Sequence, residues 1–345
     1  MYKKWLGVSA VALLLLSGCS GKEDVQPKEE SSEEVVKKVE ADTEYTNHFP
    51  LTGVGTNEDF GGRAVAVMIN NDPKARPQSG LHQADIIYEL LAEGNITRFL
   101  AIFQSEQPEK VGPVRSSRDY YIDLAKGYNS LYIAHGWSPE AKEMLTSGYI
   151  DNINGMEYDG SLFERASFRQ APHNSYITFE NIIKGAKEND YEMKSPPASL
   201  TFLTEKEVKA LQGTEAKSIM ISYFSNALFH LTYEYDEELE KYKRYTNGEL
   251  TNDMESEEPV LIDNLFIVEM EHEIIDASGR REINLTSGGK GYLIQKGKRN
   301  EVDWKNVDGK IIPFANGKEV GLTQGKTWIN VVPTSPGIDQ MVSIE

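Results

Sequence analysis

The sequence predicts an α/β domain with a mixed sheet, followed by a mainly antiparallel β domain of α+β character. Three observations lead there. Arg63 to Asn70, "RAVAVMIN", is a nearly continuous apolar run, the form of a strand buried on both faces. Helix-like segments alternate with strand-like ones up to about residue 195, and Pro196-Pro197 then forbids regular structure. Beyond that boundary, apolar runs of strand length are punctuated by Gly279, Gly288, Gly309, Gly317 and Gly325.

The elements follow in order. After the first strand, "NNDPKARPQSG" is a loop at a strand's carboxyl end, a favoured place for sites in α/β folds. The segment from Ala84 to Ser105 reads as a hairpin turning at Gly94-Asn95. A helix from Ala84 to Glu93, burying Ile87, Leu90 and Leu91, is the alternative. In either form Glu89 and Glu93 should share a face, because a separation of four satisfies both periodicities. Residues 115 to 127 read as a helix entered through Gly112-Pro113, with Tyr121, Leu124, Ala125 and Tyr128 as its buried stripe. "SLYIAHG" is a strand ending at His135, and "SPEAKEMLTSG" a helix capped by Ser138 with Gly148 near its end. In the second half, "EKEVKALQG" is a short helix, and "KSIMISYF", "LFHLTYEY", "VLIDNLFIVEME", "GYLIQKG" and "TWINVVP" are strands.

The amino terminus stands apart from the fold. Lys3 and Lys4 precede an apolar run, Trp5 to Leu16, that is too short to span a bilayer and has the form of a secretory signal. Leu16-Ser17-Gly18-Cys19 resembles the lipobox of bacterial lipoproteins, and Cys19 is the sole cysteine of the 345 residues, so no disulfide can form within the chain. The resemblance implies that Cys19 carries palmitate-type acyl chains; each buried methylene contributes roughly 0.8 kcal/mol, so two or three chains make a stable anchor. The expected organisation is a signal peptide over residues 1–18, lipidated Cys19 with a polar tether to 45, an α/β domain over 46–195 and a mainly β domain over 198–345. Of the formal charge of −18, residues 20 to 44 hold −5 and the folded part −15, offset by Lys3 and Lys4. A surface so acidic argues against nucleic acid as a partner and leaves the lipid on Cys19 as the tie to the membrane.

The chemistry begins with Arg115 and Arg118, one turn apart near an expected helix start. Cations there oppose the macrodipole by about 0.3–1 kcal/mol each, so something negative must offset them. A bound phosphate or carboxylate is one answer. The other is an ion-pair network with Glu89, Glu93 or Asp119. Arg76 and Arg98, each beside a turn or strand, are further candidates. His135 at a strand end and His173 in the loop "APHNSY" could serve as acid or base near neutral pH. No His-Glu-x-x-His, paired cysteines, Gly-x-Ser-x-Gly or correctly spaced P-loop is present, so neither a metal nor another cofactor is expected.

The segments around these residues carry a resemblance. "RAVAVMINNDPKARPQSGLHQADIIYELLAEGNITRFLAIFQS", "GPVRSSRDYYIDLAKGY", "APHN" and "GKTWINVVP" are similar to the signature segments of the YerB-like bacterial lipoproteins. The resemblance implies two domains and a membrane-tethered, extracytoplasmic protein of a Gram-positive cell, without an assigned reaction. It also draws Asn70, Arg76, Glu89, Glu93, Arg98, Arg115, Arg118, His173 and Asn174 into one pattern. Gly136-Trp137 departs from it where the family often has Gly-Gly.

Three functions are then open. The first is a lipid-anchored binder of an anionic small molecule or cell-envelope fragment, using Asn70, Arg76, Arg98, Arg115, Arg118 and Asn174. The second is an envelope hydrolase or transferase with His135 or His173 as acid or base and Glu89 or Glu93 as partner. The third is a scaffold that docks a protein partner on its β domain.

Overall fold

The computed structural model describes residues 45–58, 61–223 and 227–345. The signal segment, Cys19 and the tether up to Glu44 lie outside the described residues.

The central strand forms as its composition requires. Val65–Asn70 (β1) is buried at all six positions. Ile86–Glu93 (β2) and Ile96–Phe103 (β3) make the hairpin, turning at Gly94-Asn95 with Gly94 at φ +53°. β3 pairs antiparallel with β1, which pairs parallel with Leu131–Ala134 (β4), which in turn pairs parallel with Asn152–Asn154 (β5). Asp119–Gly127 (α1) and Pro139–Thr146 (α2) lie on one face of this mixed sheet, and Phe179–Glu188 (α3) on the other. Ser138 caps α2 by accepting from the Ala141 N–H.

After Pro196-Pro197 the chain makes an antiparallel meander of Ser218–Ser222 (β6), His230–Asp236 (β7) and Lys241–Thr246 (β8). Asn264–Met270 (β9), Gly289–Gln295 (β10), Lys298–Val307 (β11), Lys310–Ala315 (β12) and Thr327–Pro333 (β13) then extend the first sheet, in the order β12-β11-β10-β9-β13-β2-β3-β1-β4-β5. β13 is parallel to both neighbours, pairing Asn330 with Glu89 on one side and with Ile267 on the other. The segments before and after Pro196-Pro197 therefore share one sheet. Six of the seven β13 residues are buried, as a strand with two neighbours and two covered faces must be. The meander packs on the same face as α3, burying Ile219, Leu231, Tyr233 and Tyr242 against that side. α1 closes on the other side, where Gly127 meets Gly309 so tightly that a Cβ on Gly127 would lie 2.5 Å from the Gly309 carbonyl carbon.

Two local expectations are corrected. The helix expected from residue 115 begins at Asp119, with Arg118 as an extended N-cap residue. Residues 113 to 115 instead pair along β1, the Asn70 N–H donating to the Pro113 carbonyl and the Arg115 N–H to that of Met68, while the Ser117 N–H donates to the Gly136 carbonyl. Backbone groups already spent on a neighbouring strand are not free for a helical turn. Nor do Glu89 and Glu93 share a face, because a β-bulge between Leu91 and Glu93 inserts one residue and reverses the alternation. Glu89 lies with Ile87, Leu91 and Phe99 on the meander side, and Glu93 turns toward α1.

Candidate functional site

Each glutamate has become the centre of its own network. Glu89 is fully buried and accepts from Asn71 Nδ2 at 3.2 Å, Thr97 Oγ1 at 2.8 Å and Trp328 Nε1 at 3.2 Å. The Arg244 guanidinium reaches both its oxygens, at 3.2 and 3.0 Å, from a position over the rings of Phe99 and Trp328. Arg244 also donates to Thr246 Oγ1 and Thr251 Oγ1. A carboxylate so fully matched has no lone pair left for a substrate proton.

Glu93 takes the cations that were expected to receive an anion. Arg98 Nη2 lies 2.8 Å from one of its oxygens, Arg118 Nη2 pairs with the other, and the second Nη groups of both arginines donate to the Ser116 and Ser117 carbonyls. Both arginine side chains are buried. The ion-pair answer therefore holds for Arg98 and Arg118, and it is Glu93, not Asp119, that supplies most of it. The bulge makes this possible by aiming Glu93 at the start of α1.

Arg115 is different. Its partly buried guanidinium has no hydrogen bond or ion pair among the described residues. Burial, with Arg98 nearby, pushes it down to about 10, and Asp72 offsets this in part. Its field also lowers both histidines, after burial in each case, and for His135 after Arg165 as well. His173 Nδ1 stands 2.9 Å from Asn70 Nδ2. His135 Nδ1 is 2.7 Å from Ser175 Oγ, and Arg165 Nη2 is 2.8 Å from His135 Nε2. A guanidinium can only donate, so Nε2 accepts and the ring proton sits on Nδ1, pointing at the serine. Ser175 thus has no base to take its proton, and neither histidine hydrogen-bonds Glu89 or Glu93. Arg165 also binds Asp159 through two nitrogens and reaches Asn174 Oδ1 at 3.3 Å. Asn70, Arg115, His135, His173 and Asn174 thus form one neighbourhood, around a single unmatched positive charge.

Arg76 lies elsewhere, at the wall of a cavity, bonded to Asn71 and to the Leu228 carbonyl. No group of three or more His, Cys, Asp or Glu side chains that could hold a metal occurs among the described residues, and none of their helices is long and apolar enough to cross a membrane.

Comparison with known proteins places this arrangement. Residues 51–192 match the family described as "Protein of unknown function (DUF3048) N-terminal domain", and residues 219–329 match its C-terminal counterpart. The chain belongs to that family. A curated relative from Bacillus subtilis (strain 168), "Putative lipoprotein YerB", is 46% identical over 335 residues, covering 96% of each chain. The crystal structure of YerB protein from Bacillus subtilis superposes with a TM-score of 0.81 at 47% identity, covering 87% of this chain and 99% of that one. The YerB-like resemblance of the long sequence segments is thereby established, as is the α/β unit followed by β-rich structure.

Within this DUF3048 chain, sequence reasoning missed Arg244, Arg165 and Ser175. Arg244 did leave a signal: in "KYKRYT" the alternate positions Tyr242, Arg244 and Thr246 are buried, so a charge sits where the strand's period demands an apolar residue. Arg165 and Ser175 left none, since the Phe163–Arg165 and Ser175–Thr178 strands are short and pair only with each other and with Lys110–Val111.

Proposed function

We propose that this protein is a lipid-anchored binding protein at the extracytoplasmic face of the membrane, whose Arg115 neighbourhood holds an anionic group of a small molecule or cell-envelope fragment. The anchor reading rests on Lys3, Lys4, the apolar run to Leu16 and the single Cys19 behind Ser17-Gly18. The Bacillus subtilis relative, named as a lipoprotein, supports it. One observation carries the binding reading: the Arg115 guanidinium, partly removed from water, has no protein carboxylate or other hydrogen-bond partner among the described residues. An unmatched buried cation is costly, and an incoming anion relieves that cost while gaining charge-assisted hydrogen bonds. Asn70, His173 and Asn174 add neutral polar groups beside it.

The test is calorimetric titration of the full chain in mild detergent with inorganic phosphate and glycerol phosphate. Saturable binding that weakens at least tenfold in Arg115→Ala and survives in Arg118→Lys supports the site. Equal affinity in parent and Arg115→Ala, or no binding of either anion, overturns it. Radiolabelled palmitate incorporation that disappears in Cys19→Ala tests the anchor.

A further inference from the structure

Asn70, the last residue of β1, holds two neighbours at once. Its Oδ1 accepts the Asp72 N–H at 3.0 Å, which turns Nδ2 toward His173, 2.9 Å from the ring's Nδ1. An amide nitrogen can only donate, so Nδ1 accepts and the ring proton sits on Nε2. That Nε2–H has no partner among the described residues. Arg115 is tied to the same strand through its backbone, its N–H donating to the Met68 carbonyl. Asp72, Arg115 and His173 therefore gather at one strand end.

Two opposite charges stand there apart. Burial first, and neighbouring cations with it, depress both Arg115 and His173, and the Asp72 carboxylate works against that in each. Yet among the described residues no cation, Arg115 and the exposed Lys74 included, comes within 4.0 Å of that carboxylate. Its Oδ1 accepts the Lys74 N–H, and its Oδ2 accepts from none of the described residues. The other arginines that reach the place are already occupied: Arg98 by Glu93, and Arg169 by the Ala75 and Pro77 carbonyls and the Tyr176 hydroxyl. Asp72, Arg115 and His173 are each only partly buried, and none of their unbonded polar atoms is sealed from solvent. A ligand can touch all three.

A plain anion answers half of this arrangement. It pairs with Arg115 and is repelled by Asp72. A zwitterion answers both poles: its carboxylate takes the Arg115 fork and the His173 Nε2–H, and its ammonium takes Asp72 Oδ2. Poles too far apart to pair directly, but close enough to feel each other, leave room for one small group joined to each by a hydrogen bond of about 2.9 Å.

We propose that Asp72, Arg115 and His173 bind an α-amino acid, through an ammonium and a carboxylate carried on one carbon. This rests on the reading of Arg115 as an anion site and adds Asp72 as the residue that sets its specificity, penalising anions that bring no cation with them.

Calorimetric titration of the full chain in non-ionic detergent with glycine, acetate, methylammonium and inorganic phosphate tests it. Glycine has no side chain, so a preference for it comes from its paired charges. It is expected to bind saturably and at least tenfold more tightly than acetate or methylammonium. Asp72→Asn should bring glycine down to the affinity of acetate, while phosphate binds as well as before or better. Asparagine keeps an oxygen for the Lys74 N–H, and an unchanged melting temperature confirms that the loss is local. Asp72→Glu, which keeps the charge, should retain most of the preference, and Arg115→Ala should lose glycine, acetate and phosphate alike. Arg115-dependent phosphate binding with glycine no tighter than acetate, or with the glycine preference intact in Asp72→Asn, overturns this proposal and leaves the anion site standing. No saturable binding of glycine by about 10 mM, near the weakest affinity worth assigning to a site, also overturns it. If phosphate binding too is indifferent to Arg115→Ala, both readings fail.

Discussion

Glu89 and Arg244 meet across 155 residues of sequence, Oε2 to Nη2 3.0 Å apart, with side-chain exposures of 0% and 1%. The pair ties the central strand β2 to the meander strand β8, and every other donor around Glu89 comes from a different segment: Asn71, Thr97 and Trp328. Removing one partner of such a pair leaves a buried charge uncompensated, which costs about 3–5 kcal/mol, whereas replacing both by apolar groups of similar volume is often near neutral. Urea unfolding of Arg244→Met should therefore show a loss of that size, and the Glu89→Leu/Arg244→Met double variant a distinctly smaller one. A double variant that loses as much as the sum of the singles would show that the two groups act independently.

Glu93 is the counter-charge of two arginines, so its loss is felt twice. Glu93→Gln should destabilise by roughly 2–4 kcal/mol, less than a sealed pair because the carboxylate is 35% exposed. The freed Arg98 and Arg118 then make an anion site that the parent lacks. Sulfate at tens of millimolar is expected to raise the variant's melting temperature more than the parent's; equal shifts in the two proteins would refute the account.

Arg115 and Arg118 should behave oppositely on truncation. Arg118→Ala strips a buried partner from Glu93 and is expected to cost at least about 2 kcal/mol. Arg115→Ala removes a cation that no carboxylate matches, and should be neutral within about 0.5 kcal/mol or stabilising. Chemical denaturation of the two variants side by side decides it, and a large loss for Arg115→Ala would mean that it has a structural partner after all.

His272 supplies a pH dependence. Its Nδ1 lies 2.9 Å from the Met270 carbonyl, and burial, with Arg281 nearby, pushes it down to about 4 from the usual 6.5. A depressed histidine is neutral in the folded protein while the unfolded chain still binds a proton, so its contribution is present above pH 6.5 and is lost as pH falls toward 4. The loss should be on the order of 2–3 kcal/mol across that window. His272→Gln should remove this component, seen as a flatter stability profile relative to the parent between those two pH values; parallel profiles would contradict it.

How much of this was legible depends on how local each signal is. β1 announced itself because six consecutive buried residues need six consecutive apolar or hydrogen-bonded side chains. The β2–β3 hairpin was written in Gly94-Asn95, and α2 in the cap that Ser138 gives to Ala141. The helix start at Asp119 was not, since residues 113 to 117 resemble a helical entry until β1 and the Gly136–Ser138 segment claim their backbone groups. The bulge that separates Glu89 from Glu93 likewise has no mark in the chain at Ala92.

The same division holds for function. By itself the sequence determined the membership of this chain in its family, the form of its amino terminus and the residue types on which any anion chemistry must draw, because each of these is carried by neighbours along the chain. Only the tertiary structure decided which arginine is spoken for: Glu93 takes Arg98 and Arg118, Glu89 takes Arg244 from the far half of the chain, and Arg115 and Arg76 are left without a carboxylate. The reason is that ion pairing and desolvation depend on distances of a few ångströms in space, and in a sheet built from both halves of the chain those distances bear no relation to spacing in the sequence.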